Sequence, residues 1–303
     1  MILILKIGKI LNHMKILTMD YLKDNVRLFL ETASNESRIN YIKEYRWIGY
    51  KGATYIMEKL DELLAPNNDH RVDCMLLIGE PNNGKTALLL RYLDLHPSYI
   101  EDSLNQHIIP VVYLQAPAIP DISGLCDEIL KSINAAIVNE KFSIKQMRVT
   151  SHLKKLKVKM LIIDEIHNLL ATTAKKQRGF LYFIKNLSNE IKIPIVLAGI
   201  RDAETAIKTD YQIESRFETV YLKKWVKNKD FLTLLTSFES IMPLKNESML
   251  REPGLATKIF EASNGSIGSI KKILKKSAII AIESGIEKIT GNIVERAIKP
   301  DDF

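Results

Sequence analysis

The octet Gly79-Glu80-Pro81-Asn82-Asn83-Gly84-Lys85-Thr86 constrains this chain most, set between the apolar run Cys74-Met75-Leu76-Leu77-Ile78 and a helical sequence opening at Ala87-Leu88-Leu89-Leu90. Strand, loop and helix in that order make a phosphate cradle. Glycines and asparagines accept the backbone turns that aim successive N–H groups at one anion, and the helix N-terminus adds its dipole. In the pattern G-x-x-x-x-G-K-[ST], Lys85 reaches the β/γ-phosphates and Thr86 holds Mg²⁺, so Gly79 to Ala87 reads as a nucleoside triphosphate site.

A second run, Met160-Leu161-Ile162-Ile163-Asp164-Glu165, has the continuous apolar character of a strand buried on both faces and ends in two carboxylates. Ligands bind beyond the carboxyl ends of the strands in open α/β sheets, which puts Asp164 beside the phosphate loop, positioned to hold Mg²⁺ through water. Side-chain alternation is expected to turn Glu165 away from the metal and toward the γ-phosphate, as general base for the attacking water. That pairing favours ATP hydrolysis over a small-molecule kinase or a GTPase. Ile108 to Leu114 is predicted to be a middle strand and Pro194 to Gly199 the fourth.

Of 303 residues, 46% are hydrophobic and 26% charged, enough apolar content to bury a full core. Two cysteines, Cys74 and Cys126, argue against a disulfide framework and read as buried thiols in a reducing cytoplasm. Met1 to Leu17 is apolar but interrupted by Lys6, Lys9, His13 and Lys15, too short and too charged for a membrane span. The net charge is +7, and its distribution matters more than its sum: Lys141 to Lys159 carries seven basic residues and no acidic one. Lys145, Arg148, Lys154 and Lys155 in that stretch, with Lys175, Lys176 and Arg178 further on, are candidate nucleic-acid contacts. The competing reading for Lys154 and Lys155 is a solvated helix end whose dipole they complement.

Helical spacing is expected from Asp20 to Ile42, broken at Ser34 to Ser37, and again from Ala53 to Leu64, where Pro66-Asn67-Asn68 ends it. After Tyr221 the pattern is helical throughout, at Lys229 to Ile241, Pro253 to Ser263, Ile267 to Ser284 and Gly291 to Ile298, with no segment left for a winged helix. Three further positions invite a role. Arg216 is either an arginine finger completing a neighbouring subunit's site or a rim arginine paired to Glu214 or Glu218. Lys271 or Lys272 either senses nucleotide from the last domain or lies on a solvated helix face, and Gln115, at the phosphate edge of the sheet, either faces nucleotide or DNA or serves a structural turn. His167 has no partner at metal-ligand spacing and reads as a packing or supporting residue.

Arg46-Trp47-Ile48-Gly49-Tyr50, the octet, Leu114-Gln115-Ala116-Pro117, Met160 to His167, Lys176-Gln177-Arg178 and Ser215-Arg216-Phe217 together resemble the TniB/TnsC family, over about Tyr41 to Ala297. These are AAA+ ATPases that regulate DNA transposition, related in role to the phage Mu B protein. The resemblance implies an α/β fold: a P-loop AAA+ (ASCE) parallel-sheet core over 46–221, a small all-helical lid over 222–303 and an N-terminal helical extension over 1–45. It implies ATP and Mg²⁺ as ligands, and head-to-tail self-assembly into a ring or helical filament on double-stranded DNA. It also implies a DDE transposase (TniA/TnsB-like) and a TniQ-like target selector as partners. Carried onto this chain, Lys85, Glu165 and Arg216 are catalytic, Thr86 and Asp164 serve the metal, Lys271 is the lid sensor, and Trp47, Ile48 and Tyr50 wall the adenine. The turn Ile200-Arg201-Asp202 departs from the small polar sensor usual there, leaving Arg201 and Asp202 as alternatives. The alternative function is a replication initiator or helicase loader, which the missing winged helix disfavours.

Overall fold

Five apolar segments of the middle of the chain hydrogen-bond into one parallel sheet, and the segments on either side of them are helical. The computed structural model describes residues 19–66, 72–103, 105–119 and 121–299; the reading of Met1 to Leu17 and the helix stop at Asn67-Asn68 lie outside these. In chain order the first elements are α1 (Asp24–Thr32), α2 (Asn35–Lys43), α3 (Lys51–Leu64), β1 (Cys74–Gly79), α4 (Lys85–Leu95), β2 (Tyr99–Glu101), β3 (Gln106–Ile108), β4 (Val111–Gln115), α5 (Ile122–Ser132) and α6 (Phe142–Lys155). There follow β5 (Met160–Asp164), α7 (His167–Leu170), α8 (Ala174–Ile191), β6 (Ile195–Gly199), α9 (Arg201–Lys208), α10 (Tyr211–Glu214), β7 (Phe217–Leu222), α11 (Lys229–Glu239), α12 (Pro253–Ser263), α13 (Ile267–Glu283) and α14 (Gly291–Ile298). The chain divides into two units, Lys51–Lys223 and Met1–Tyr50 with Lys224–Phe303.

In the first unit the strand order is β4-β5-β6-β1-β7, every pairing parallel. All residues of β1, β5 and β6 are buried, as expected of central strands covered on both faces. The core combines Leu161, Ile163 and Leu197 of the sheet with Leu125 and Ile129 of α5, Leu153 of α6 and Ile184 of α8. Cys74 and Cys126 are buried there as free thiols, and burial pushes the Cys126 thiol up to about 12.

Three local readings need correction. The stretch Ile108 to Leu114 is not one strand: Ile108 closes the β2–β3 hairpin and β4 begins at Val111. Pro110 separates them because it has no N–H for a ladder, and its carbonyl accepts from the Lys159 and Met160 amides instead. The sheet also has a fifth strand in the Phe217–Leu222 segment, β7, whose half-buried alternation marks an edge. In the N-terminal helical stretch, Ser34 is the N-cap of α2, accepting from the Ser37 amide, so the chain breaks at Ala33 and Ser34 only.

In the second unit α11 to α14 enclose a core of Phe231, Leu235, Ile259, Leu274 and Val294, which Ile42 of α2 joins. Arg38, also on α2, is fully buried and donates to both Glu287 oxygens at 2.7 and 2.8 Å and to the Pro243 carbonyl. Burial raises the Glu287 carboxyl, but the Arg38 hydrogen bonds and charge, with Lys245, outweigh it and hold the group below the usual carboxylate range. Glu239 is buried with its carboxylate accepting from the Ser248, Met249 and Leu250 amides. No helix among the described residues is long and apolar enough to cross a membrane.

Candidate nucleotide site

The loop from β1 to α4 folds through two left-handed residues, Asn82 (φ 58°) and Gly84 (φ 89°), the second leading directly into the helix N-terminus. Asparagine tolerates that region and glycine enters it without a Cβ clash, which is the local reason for the sequence. Gly79 is packed as tightly: a Cβ there would meet the Leu222 carbonyl at 3.1 Å and Lys85 Cδ at 3.3 Å. Asn83 is buried and its Nδ2 donates to the Leu222 carbonyl at 2.8 Å, pinning the loop to the end of β7. Lys85 is buried, with its ammonium donating to the carbonyls of Gly79 (2.7 Å) and Glu80 (3.1 Å). Burial pushes this ammonium below its ordinary range, and Glu165, Asp164 and Glu80 pull it partly back.

Asp164 is completely buried at the carboxyl end of β5. It accepts from the Thr86 hydroxyl at 2.6 Å and the Tyr113 hydroxyl at 3.1 Å, and its other oxygen accepts the Glu165 amide at 2.8 Å. Burial and the Asp164 charge raise the Tyr113 hydroxyl far above its ordinary value. Glu165 lies beyond the strand, with φ at 56°. Its direction is therefore set by a left-handed turn and not by strand alternation, which corrects the reason given for it. Its carboxylate comes 3.1 Å from His167 Nε2. Pro81 to Ala87, Glu165, His167 and Ile200 together line one cavity of about 380 Å³.

Sequence alone assigns Tyr113 no role and leaves the sensor at the β6 turn open between Arg201 and Asp202. Ile200 lines the cavity, whereas Arg201 and Asp202 are exposed on the first turn of α9. Tyr113 reaches Asp164 because β4 pairs with β5 in the register Gln115 to Asp164, a fact that no local pattern carries. For His167 the spacing Asp-Glu-x-His is the sequence signal, and an imidazole beside the Glu165 carboxylate fits the supporting role read for it.

Arg216 lies at the opposite edge of the sheet. Phe217 is level with Cys74 and Leu222 with Gly79, which puts Arg216 about 20 Å along the strands from the loop at 3.3 Å per residue. Its guanidinium donates to Asn189 Oδ1 at 2.6 Å, not to Glu214 or Glu218. Trp47, Ile48, Tyr50 and Lys271 belong to the helical unit. There Ile48 packs on the core, the Tyr50 ring meets Trp225 edge-on at 5.1 Å, and the Lys271 ammonium lies 4.3 Å from the centre of the Tyr45 ring. Burial lowers the Lys271 ammonium.

The basic stretch does not survive as one surface. Lys145 is buried and donates to Asp127 (2.7 Å) and Ser123 (2.9 Å), and Arg148 pairs with Glu140, so neither is a free surface cation. Lys145 faces α5, which packs on α6 there, and Arg148 folds back on the loop that leads into α6, where its other partner is the Ala136 carbonyl. Lys154 and Lys155 are exposed in the last turn of α6, where cations favour the helix dipole. Lys175, Lys176 and Arg178 are exposed in the first turns of α8, where the dipole disfavours cations. Chain direction puts the α8 group at the carboxyl edge of the sheet, with the phosphate loop, and the α6 group at the amino edge.

The fold resembles solved structures at low identity. Cdc6p from Pyrobaculum aerophilum matches with 16% identity and a TM-score of 0.61 over 85% of this chain and 69% of that one. The Aeropyrum pernix ORC1 protein in complex with DNA matches with 16% identity and a TM-score of 0.60 over 88% and 70%. The Aeropyrum pernix ORC2 protein, in ADPNP-ADP complexes, gives 16% and 0.59 over 86% and 71%. These likenesses establish a P-loop AAA+ α/β fold. No curated protein matches the sequence. The model of the bacterial TniB protein family matches residues 38–227, a span that holds the phosphate loop, the Asp164-Glu165 strand end and β7 together, and the chain belongs to that family.

Proposed function

We propose that this protein is an ATP-dependent DNA-binding regulator of DNA transposition. ATP favours its head-to-tail oligomer on double-stranded target DNA, the assembly recruits or activates a TniA/TnsB-like DDE transposase with a TniQ-like selector, and hydrolysis in the cytoplasm releases it. The observation that carries the reading is the cavity lined by Lys85, Thr86 and Glu165, with Asp164 buried behind it on the Thr86 hydroxyl, in a TniB-family chain. Lys85 would bind the β/γ-phosphates, and the hard oxygen donors of Thr86 and Asp164 suit Mg²⁺, which would supply charge neutralisation at the phosphates. Glu165 would take the proton of the attacking water.

Arg216 fits a role in trans. At the far edge of the sheet it is out of reach of its own phosphate loop, whereas a second copy stacked head to tail would bring that edge to a neighbour's loop. The domain reading of core, lid and N-terminal extension, and the nucleotide contacts of Trp47, Ile48, Tyr50 and Lys271, belong to this proposal. For DNA, Lys175, Lys176 and Arg178 are better supported than Lys154 and Lys155, because their placement works against their own helix and calls for an anion. The test is to image the protein by negative stain on plain duplex DNA with ATP or a non-hydrolysable analogue. Nucleotide-dependent rings or filaments that Lys85→Ala abolishes are expected; bare DNA, or assemblies indifferent to Lys85→Ala, would contradict the proposal.

A further inference from the structure

The turn after β5 is fixed more firmly than a loop needs to be. The Glu165 amide is held by Asp164, and the Ile166 amide donates to the Ala198 carbonyl at 2.9 Å, tying the turn to β6. Ile166 packs close against Gly199, where a Cβ would lie 2.9 Å from Ile166 Cγ2. With the backbone locked, the Glu165 carboxylate can still wander by rotation about its own side-chain bonds. The contact that stops it is His167 Nε2, at 3.1 Å. The other ring nitrogen, Nδ1, is buried without a hydrogen-bond partner, so the ring nitrogen with a polar neighbour is the one facing Glu165. Both residues line the cavity with Pro81 to Ala87.

We infer that His167 is a positioning residue for hydrolysis: its Nε2–H holds the Glu165 carboxylate where it takes a proton from the attacking water. In that step the water oxygen bonds to the γ-phosphorus and the bond to the bridging oxygen breaks with its electron pair leaving on ADP. The proton passes to Glu165 and then to solvent. The inference rests on Glu165 as the general base, and the experiment separates the two. Steady-state ATP hydrolysis with Mg²⁺ and duplex DNA is measured for the full chain, for H167A, H167Q and E165Q, alongside binding of a non-hydrolysable ATP analogue.

H167A is expected to lower kcat on the order of tenfold to a hundredfold, part of the roughly 10²–10⁴ that a positioned base supplies, with KM and analogue binding within about twofold. H167Q, which keeps an N–H near the Nε2 position, restores most of the loss. An H167A kcat equal to or above the parent's overturns the inference alone. So does joint loss of turnover and analogue binding, or failure of H167Q to restore turnover, since either makes His167 merely structural. Full turnover in E165Q removes the base assignment and this inference with it.

Discussion

Both units bury charge, and they do so differently. In the helical unit Arg38 meets its opposite charge, Glu287, through two hydrogen bonds. At the sheet edge Lys85 and Asp164 are also buried, yet Lys85 rests on two carbonyls and Asp164 on two hydroxyls and an amide, neutral partners in every case. A closed pair serves packing and register; separated opposite charges held by neutral groups stay available to a ligand that brings its own charge.

The widest break between the two would come from Arg38→Ala. It strands Glu287 in the core, and urea unfolding should show a loss of about 3–5 kcal/mol, while Lys85→Ala, which removes no ion pair, should change stability far less. The pair also gives the helical unit an acid sensitivity. Because the folded Glu287 carboxyl is below its ordinary value, its contribution is present at neutral pH and is lost as pH falls through that folded value; Arg38→Ala should flatten this part of the acid profile. Equal losses for both variants would erase the contrast.

A smaller effect is expected at Asn83. Asn83→Ala removes the donor to the buried Leu222 carbonyl and should cost about 1–3 kcal/mol of stability, with nucleotide affinity reduced because the loop loses its tether to β7. The smallest changes belong to the surface. Lys175→Ala and Lys176→Ala should each reduce the slope of log affinity for duplex DNA against log salt by about 1, whereas Lys145→Ala, inside the core, should leave that slope unchanged.

The sequence-readable parts were those in which neighbours along the chain share one job. The octet is read from eight consecutive residues because their own amides make the cradle. β5 and β6 announce themselves because burial on both faces forces a continuous apolar run. What stayed hidden depends on partners distant in sequence. Tyr113 meets Asp164 only through the β4–β5 register, and β7 completes the sheet as an edge strand whose Phe-Glu-Thr-Val-Tyr-Leu pattern is ambiguous until β1 lies beside it. Lys145 looked like surface charge because Asp127, eighteen residues earlier, is invisible to composition. Glu165 was read correctly as adjacent to the site, but the left-handed turn that aims it follows from the Asp164 contact and the Ala198 tether.

Under the proposed function, turnover at this cavity sets how long the protein stays on DNA. The most direct measurement is the dissociation time of preformed complexes on labelled duplex DNA in Mg²⁺ and ATP, after dilution into unlabelled competitor, for the parent chain and Glu165→Gln. Glu165→Gln is expected to bind ATP as the parent does, to hydrolyse it on the order of 10² times more slowly or worse, and to stay on DNA correspondingly longer. Glu165→Gln complexes that retain ATP and fall apart as fast as the parent's would contradict it.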